Sequence, residues 1–194
     1  QMRKRLLGEQ HPYVAPFLNN LASLYHFQGR YSEAEPLYKQ ALQMRKRLLG
    51  EQHPDVAASL NNLAQQYLRR GIYSKAEPLH KQALQIKKSL LGEEHPDVAI
   101  SLNNLAVLYK SQGNITNTLE YLTQGLEVEE QNLLFNLSAG FERQKRDYIA
   151  TISGTTYGTI SLHLIFAPNN PKAANLALTT ILKLNLLSTK RTST

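Results

Sequence analysis

One period of 42 residues governs this chain. Gln1–Leu42 and Gln43–Leu84 differ at 11 positions, and Gln85–Leu126 keeps the same frame with a looser second half. Leu-Leu-Gly-Glu-(Gln/Glu)-His-Pro recurs at Leu6–Pro12, Leu48–Pro54 and Leu90–Pro96, and Leu-Asn-Asn-Leu-Ala begins at Leu18, Leu60 and Leu102. A fixed period of this length predicts a solenoid, in which each unit buries its apolar face only by stacking on the next. A stacked array presents a long surface rather than a closed pocket, so the expectation is binding rather than catalysis.

Within one unit, His53–Leu90, the pattern predicts two antiparallel helices. Pro54 suits a first helical position, where its missing N–H costs nothing, and Asp55 suits the positive end of the helix dipole. Val56, Leu60, Leu63, Ala64 and Tyr67 form one helical stripe. Gly71 ends the first helix. Ser74-Lys-Ala-Glu77 reads as a capping box opening a second helix, with Ala76, Leu79, Ala83, Leu84 and Ile86 as its apolar face before Gly92 stops it. Pro36 and Pro78 lie just past that box, where at most one backbone bond is lost.

These residues resemble the tetratricopeptide repeat. Leu60, Leu63, Ala64 and Tyr67 fit its first helix, and Gly71, Tyr73, Ala76 and Ala83 fit its turn and second helix. The first unit matches at Leu18, Leu21, Ala22, Tyr25, Gly29, Tyr31, Ala34, Tyr38 and Ala41. The third matches at Leu102, Leu105, Ala106, Tyr109 and Gly113 but carries Thr118 and Gly125 in place of the small alanines. The 42-residue length, His-Pro-Asp-Val-Ala and Leu-Asn-Asn-Leu-Ala resemble the kinesin light chain type. The resemblance implies an all-α, right-handed solenoid of antiparallel helix pairs, followed here by C-terminal helices. Three units then occupy residues 11–136. Residues 1–10 correspond to the tail of a preceding unit whose first helix is absent, which suggests a fragment with an orphaned leading helix and possible self-association through the solenoid ends.

After Leu126 the period stops. Glu127–Asn136 is expected to continue the third unit's second helix, Ser138–Tyr148 to form a new helix, and 155–166 to be helical despite its β-branched alternation. Asn170-Pro171 reads as an N-cap and first position opening a helix over Lys172–Leu187, with Ala173, Ala174, Leu176, Ala177, Ile181 and Leu184 on its apolar face. Short stretches within 137–194, among them Leu137-Ser-Ala-Gly140, Gln144-Lys-Arg-Asp-Tyr148 and Ala167-Pro-Asn-Asn-Pro171, resemble the segment that joins such repeats to a caspase-like CHAT domain in bacterial, notably cyanobacterial, proteins. That resemblance implies a regulatory arm of a larger protease-like protein. The chain has no cysteine, so the protease activity does not carry over.

The formal charge is +7. Arg3-Lys4-Arg5, Arg45-Lys46-Arg47 and Lys87-Lys88 fall near the ends of second helices, where cations complement the dipole. No aromatic-interleaved basic stripe accompanies them, so nucleic acid is not the expected partner, and a mild bias towards acidic ligands remains. No apolar run suits a membrane span or signal core, and the expected compartment is the cytoplasm.

No catalytic motif stands out, and neither a cofactor nor a metal is expected. His11, His53 and His95 recur one period apart, about ten ångströms between packed helices, too far for one metal. Each precedes proline in a loop, which favours a turn role. His26, His80 and His163 are isolated and are assigned none. The asparagines are the candidate site: Asn19-Asn20, Asn61-Asn62 and Asn103-Asn104 lie on the first helices, off the Leu/Ala/Tyr stripe. By the resemblance that side faces the concave groove, and Asn20, Asn62 and Asn104 correspond to the position that contacts ligand backbone. An amide both donates and accepts, so such a ladder can hold an extended peptide. The competing reading is that these amides bond between neighbouring units. One turn later Ser23, Gln65 and Val107 line the same wall, followed by Phe27, Arg69 and Lys110 or Ser111. Arg69 and Lys110 favour an acidic protein or peptide ligand.

Overall fold

The computed structural model describes residues 13–139, 167 and 169–189, with the side chains of 133–139 and 182–189 excepted. Seven helices and no strand occur among these described residues. They fall into two compact units, Gln1–Glu93 and Glu94–Thr194. The first holds α1 (Val14–Phe27), α2 (Tyr31–Leu49), α3 (Pro54–Arg69) and α4 (Tyr73–Leu91). The second holds α5 (Pro96–Ser111), α6 (Ile115–Ala139) and α7 (Pro171–Thr189). Ser138 and Ala139, expected to open a new helix over Ser138–Tyr148, instead continue α6, and the rest of that helix lies outside the described residues, as do 155–166, His11 and His163.

The helix starts follow from the repeated His-Pro-Asp. His53 takes an extended backbone before α3, and its Nδ1 accepts the N–H of Asp55 at 3.1 Å. His95 does the same for Asp97 before α5, also at 3.1 Å. The imidazole thus fills the acceptor role that serine or aspartate usually plays at an N-cap, which is the turn role expected of it. Gly71 lets the chain reverse between α3 and α4 at φ +71°.

The expected capping box is absent. α4 begins at Tyr73, and no side chain caps it. The Arg70–Ile72 turn closes through backbone alone, Ile72 N–H to the Tyr67 carbonyl at 2.8 Å and Ala76 N–H to the Ile72 carbonyl at 3.2 Å. Ser74 therefore lies already inside the first turn, where its hydroxyl has no orphan donor ahead of it. Pro78 is the sixth residue of α4 and Pro36 the sixth of α2. Each removes only the bond to the carbonyl four residues back.

In the first unit α1 packs on α2 through Val14, Ala15, Leu18, Ala41 and Met44, and α3 on α4 through Val56, Ala57, Leu60, Ala83 and Ile86. The fully buried alanines let the helix backbones approach closely. Successive pairs are joined by polar bridges from α2 to α3. Glu35 accepts from Lys39 Nζ at 2.7 Å, Tyr67 hydroxyl at 2.9 Å and Arg70 Nη1 at 2.5 Å. Gln66, buried, donates Nε2 to the Tyr31 carbonyl at 2.8 Å. Arg45 donates Nη1 to Ser59 Oγ at 2.8 Å and to the Asp55 carbonyl at 3.0 Å.

Lys46, Arg47 and Lys88 lie in the last turns of α2 and α4, as expected of the basic clusters, and side-chain contacts add to that placement. Arg45 reaches across to the next helix instead of serving its own C-terminus. Lys46 pairs with Glu51 at 2.9 Å and Lys88 with Glu93 at 3.7 Å, so loop carboxylates answer the charge. The apolar face of α4 holds Ala76, Ala83 and Ile86 as expected and also takes in His80, which is buried, while Leu90 and Leu91 at its end are exposed.

In the second unit Leu102, Leu105, Ala106, Leu108 and Tyr109 are buried on α5, and Tyr109 stacks on Tyr121 of α6 at 5.4 Å. α6 is unbroken through Gly125. A Cβ there would stand 3.0 Å from Asn103 Oδ1, so the glycine makes room for that side chain. α7 starts as expected, with Asn170 Oδ1 accepting the N–H groups of Lys172 and Ala173 at 3.0 and 3.2 Å. Its buried side is Ala173, Ala177 and Thr180, while Ile181, expected in the core, is exposed.

Candidate ligand-binding face

Short turns make α1 and α2, then α2 and α3, antiparallel, so α1 and α3 run in the same direction. A hydrogen bond sets them in register: Asn62 Nδ2 donates to Asn19 Oδ1 at 2.9 Å. Of the candidate residues in the first unit, the structure brings this pair together, and Asn62 serves the junction between repeats. Asn20 is exposed on α1 with no hydrogen bond among the described residues. Gln65 is half-buried, one turn beyond Asn62, and Arg69 follows at the exposed end of α3.

Asn61 points elsewhere. Its Oδ1 lies 2.9 Å from His80 Nδ1 on α4, inside the helix pair. With the proton on Nδ1, the histidine donates and Nε2 is left buried without a partner among the described residues. Burial alone pushes the imidazole down to about 4 from its ordinary 6.5, so it is neutral in the folded chain. The same frame position is Tyr38 in the first repeat and Leu122 in the third, both buried. A signal for this was present: His80 sits four residues after Ala76 and three before Ala83, on the apolar stripe.

His26, also assigned no role, is half-buried at the end of α1. Its ring meets Phe27 edge-on at 5.6 Å and Tyr31 at 5.5 Å. Burial, and then the Arg69 charge, lower its pKa from the ordinary value. Phe27 is 84% exposed. Arg69 has no ion-pair partner among the described residues. Other arginines of this unit do: Arg70 pairs with Glu35, and Arg30 with Glu33 while lying 4.2 Å over the Tyr25 ring.

In the second unit Asn103 lies against Gly125 and Asn104 is half-buried. Ile100 and Val107 flank Asn104 on one exposed stripe of α5. Lys110 is half-buried, and that burial lowers its pKa.

The tetratricopeptide repeat family matches residues 1–47, 13–89 and 55–131. The chain belongs to the tetratricopeptide repeat family. The crystal structure of BtubC (BKLC) from P. vanneervenii is similar, with a TM-score of 0.69 and 25% identity over 93% of this chain and 65% of that one. The chain therefore spans just under two thirds of that protein's length. A Podospora anserina kinesin light chain of nearly identical TPR-like repeats has a TM-score of 0.68 and 20% identity, covering 100% of this chain and 83% of its own. A substituted form of that Podospora protein gives 0.69 and 21%, with 98% and 83% covered. No curated protein sequence matches the chain. As a tetratricopeptide repeat protein of kinesin light chain-like fold, the chain is an all-α solenoid of helix pairs, a scaffold type whose general use is protein interaction. No helix among the described residues is long and apolar enough to cross a membrane.

Proposed function

We propose that the chain is a non-catalytic scaffold that binds an acidic protein or peptide segment along the face of its first helices. The observation that carries this reading is Arg69. It is exposed beside the polar seam of Asn19, Asn62 and Gln65, and no carboxylate among the described residues neutralises it. Asn20, exposed and without a hydrogen bond among those residues, offers a donor and an acceptor for peptide backbone. In the second unit, taken by itself, Asn104 holds the corresponding repeat position on α5 between exposed Ile100 and Val107, with Lys110 later on that helix. The resemblance of short stretches within 137–194 to the segment before CHAT domains supports a second reading, in which this face is the sensing arm of a larger protein.

The test is a peptide array followed by titration of wild type, Asn20→Ala and Arg69→Ala at low and high salt. Arg69→Ala should weaken acidic peptides by about two- to fivefold, the range for one exposed ion pair, and the effect should shrink with salt. Asn20→Ala should weaken peptides regardless of sequence. Equal binding by all three proteins would remove the assignment.

A further inference from the structure

Two turns beyond the Asn19–Asn62 hydrogen bond, the same register places His26 of α1 beside Arg69 of α3, since each lies seven residues further along parallel helices. The Arg69 charge acts on the imidazole, and neither side chain is paired with an acid among the described residues. Arg30, four residues after His26, is held by Glu33 and stacked on Tyr25, and Arg70 is held by Glu35. From α2 the ring of Tyr31 closes one side of the imidazole, and Phe27 on α1 adds an exposed aromatic edge. His26 Nδ1 is buried with no hydrogen-bond partner among the described residues, so Nε2 is the ring nitrogen left for an incoming acid. In the second repeat the position of His26 is Leu68, which is buried, so the pairing belongs to the first junction alone.

We infer that His26 and Arg69 form a seat for one carboxylate of the bound acidic segment, and that filling it loads a proton onto His26. This rests on the proposed binding face. The chemistry is a matter of sign. In the empty seat, burial and the Arg69 charge both favour neutral imidazole. A carboxylate bridging the two groups offsets Arg69 and attracts the imidazolium, so ligand and proton bind together. Recognition at this end therefore tightens as pH falls through the histidine range, before the ligand's own carboxyl titrates near 4. Arg69 supplies the constant charge and His26 the pH dependence.

The probe is a fluorescein-labelled octapeptide of alternating glutamate and serine, titrated into the full chain between pH 8 and pH 5.5. In parallel, NMR follows the His26 ring with and without saturating peptide, the resonance being assigned by its loss in His26→Gln. Wild type should bind about tenfold more tightly at the acid end, matched by a rise of about one pH unit in the His26 midpoint. His26→Gln should bind with no pH dependence, and Arg69→Gln should bind more weakly at every pH. Binding that is flat with pH, a His26 midpoint unmoved by peptide, or a pH slope surviving in His26→Gln would overturn the inference and leave the binding face standing. Absence of binding by wild type at every pH would overturn both.

Discussion

Lowering the pH from 8 to 4 should destabilise the second repeat through His80. The buried imidazole has a folded value of about 4 against an ordinary 6.5. Between those values the unfolded chain binds a proton that the folded chain refuses, so stability is full above 6.5 and falls as pH drops towards 4. The loss works out at ~2 kcal/mol by pH 5 and ~3 kcal/mol by pH 4. The assay is urea unfolding followed by circular dichroism at half-unit steps of pH, on wild type and on His80→Leu, the residue the third repeat carries at this place. Leu costs the bond to Asn61 Oδ1 but removes the titration, so the variant should start less stable and lose much less on acidification. His80→Tyr, the first repeat's choice, is a second variant with the same expected flattening. Glu35 begins to titrate near the acid end of this window, but all three proteins carry it, so it cancels in the comparison. Parallel pH curves for wild type and both variants would refute the assignment of His80 as a buried neutral base.

Glu35→Gln should cost about 1–2 kcal/mol by removing the charged acceptor shared by Lys39, Tyr67 and Arg70. The wild-type contribution, present above the ordinary 4.5, should vanish as pH falls towards about 2, because the Lys39, Tyr67 and Arg70 hydrogen bonds hold the carboxyl down against burial. Asn19→Ala and Asn62→Ala should each cost about 0.5–1.5 kcal/mol in chemical unfolding. The double variant should cost little more than either, and full additivity would mean the amides do not bond. Gly125→Ala should gain less than the ~1 kcal/mol that alanine is worth in a helix interior, because its Cβ crowds Asn103 at 3.0 Å. Adding Asn103→Ala should release that gain, as read by melting temperature.

What periodicity encodes was legible. The stripe Val56, Leu60, Leu63, Ala64 and Tyr67 is buried as expected, because a 3.6-residue spacing leaves such residues one face to share. The starts of α3 and α5 were legible from Pro-Asp, and that of α7 from Asn170-Pro171. Partner choice was not. Whether Asn62 bonds a ligand or Asn19 depends on which helices meet and in what register, and no local pattern carries that. The capping box failed for a related reason. Ser74 and Glu77 have the right spacing, but the backbone turn at Ile72 starts the helix before the serine can act. His80 reads as a lone histidine in isolation, but the near-identity of the repeats marks it, since a stripe position that is Tyr, His and Leu in three copies is a core position being tuned.

That tuning also accounts for α7, which lies outside the 42-residue period. In the first unit the α2 surface offers Glu35 to the next first helix, and Tyr67 of α3 and Arg70 just beyond its end answer it. In the second unit the corresponding residue of α6 is Leu119, and the place of Tyr38 or His80 is taken by Leu122. Both are buried in one cluster with Ala167 and Ala173, against which Leu176 packs. A carboxylate at that seat would need a tyrosine or arginine opposite, and α7 presents alanines there. Two aliphatic substitutions on α6 therefore change the kind of helix it accepts, from a polar first helix to an alanine-faced one. The helix that follows need not resemble a repeat in sequence, because the seat, rather than the period, selects what packs on it.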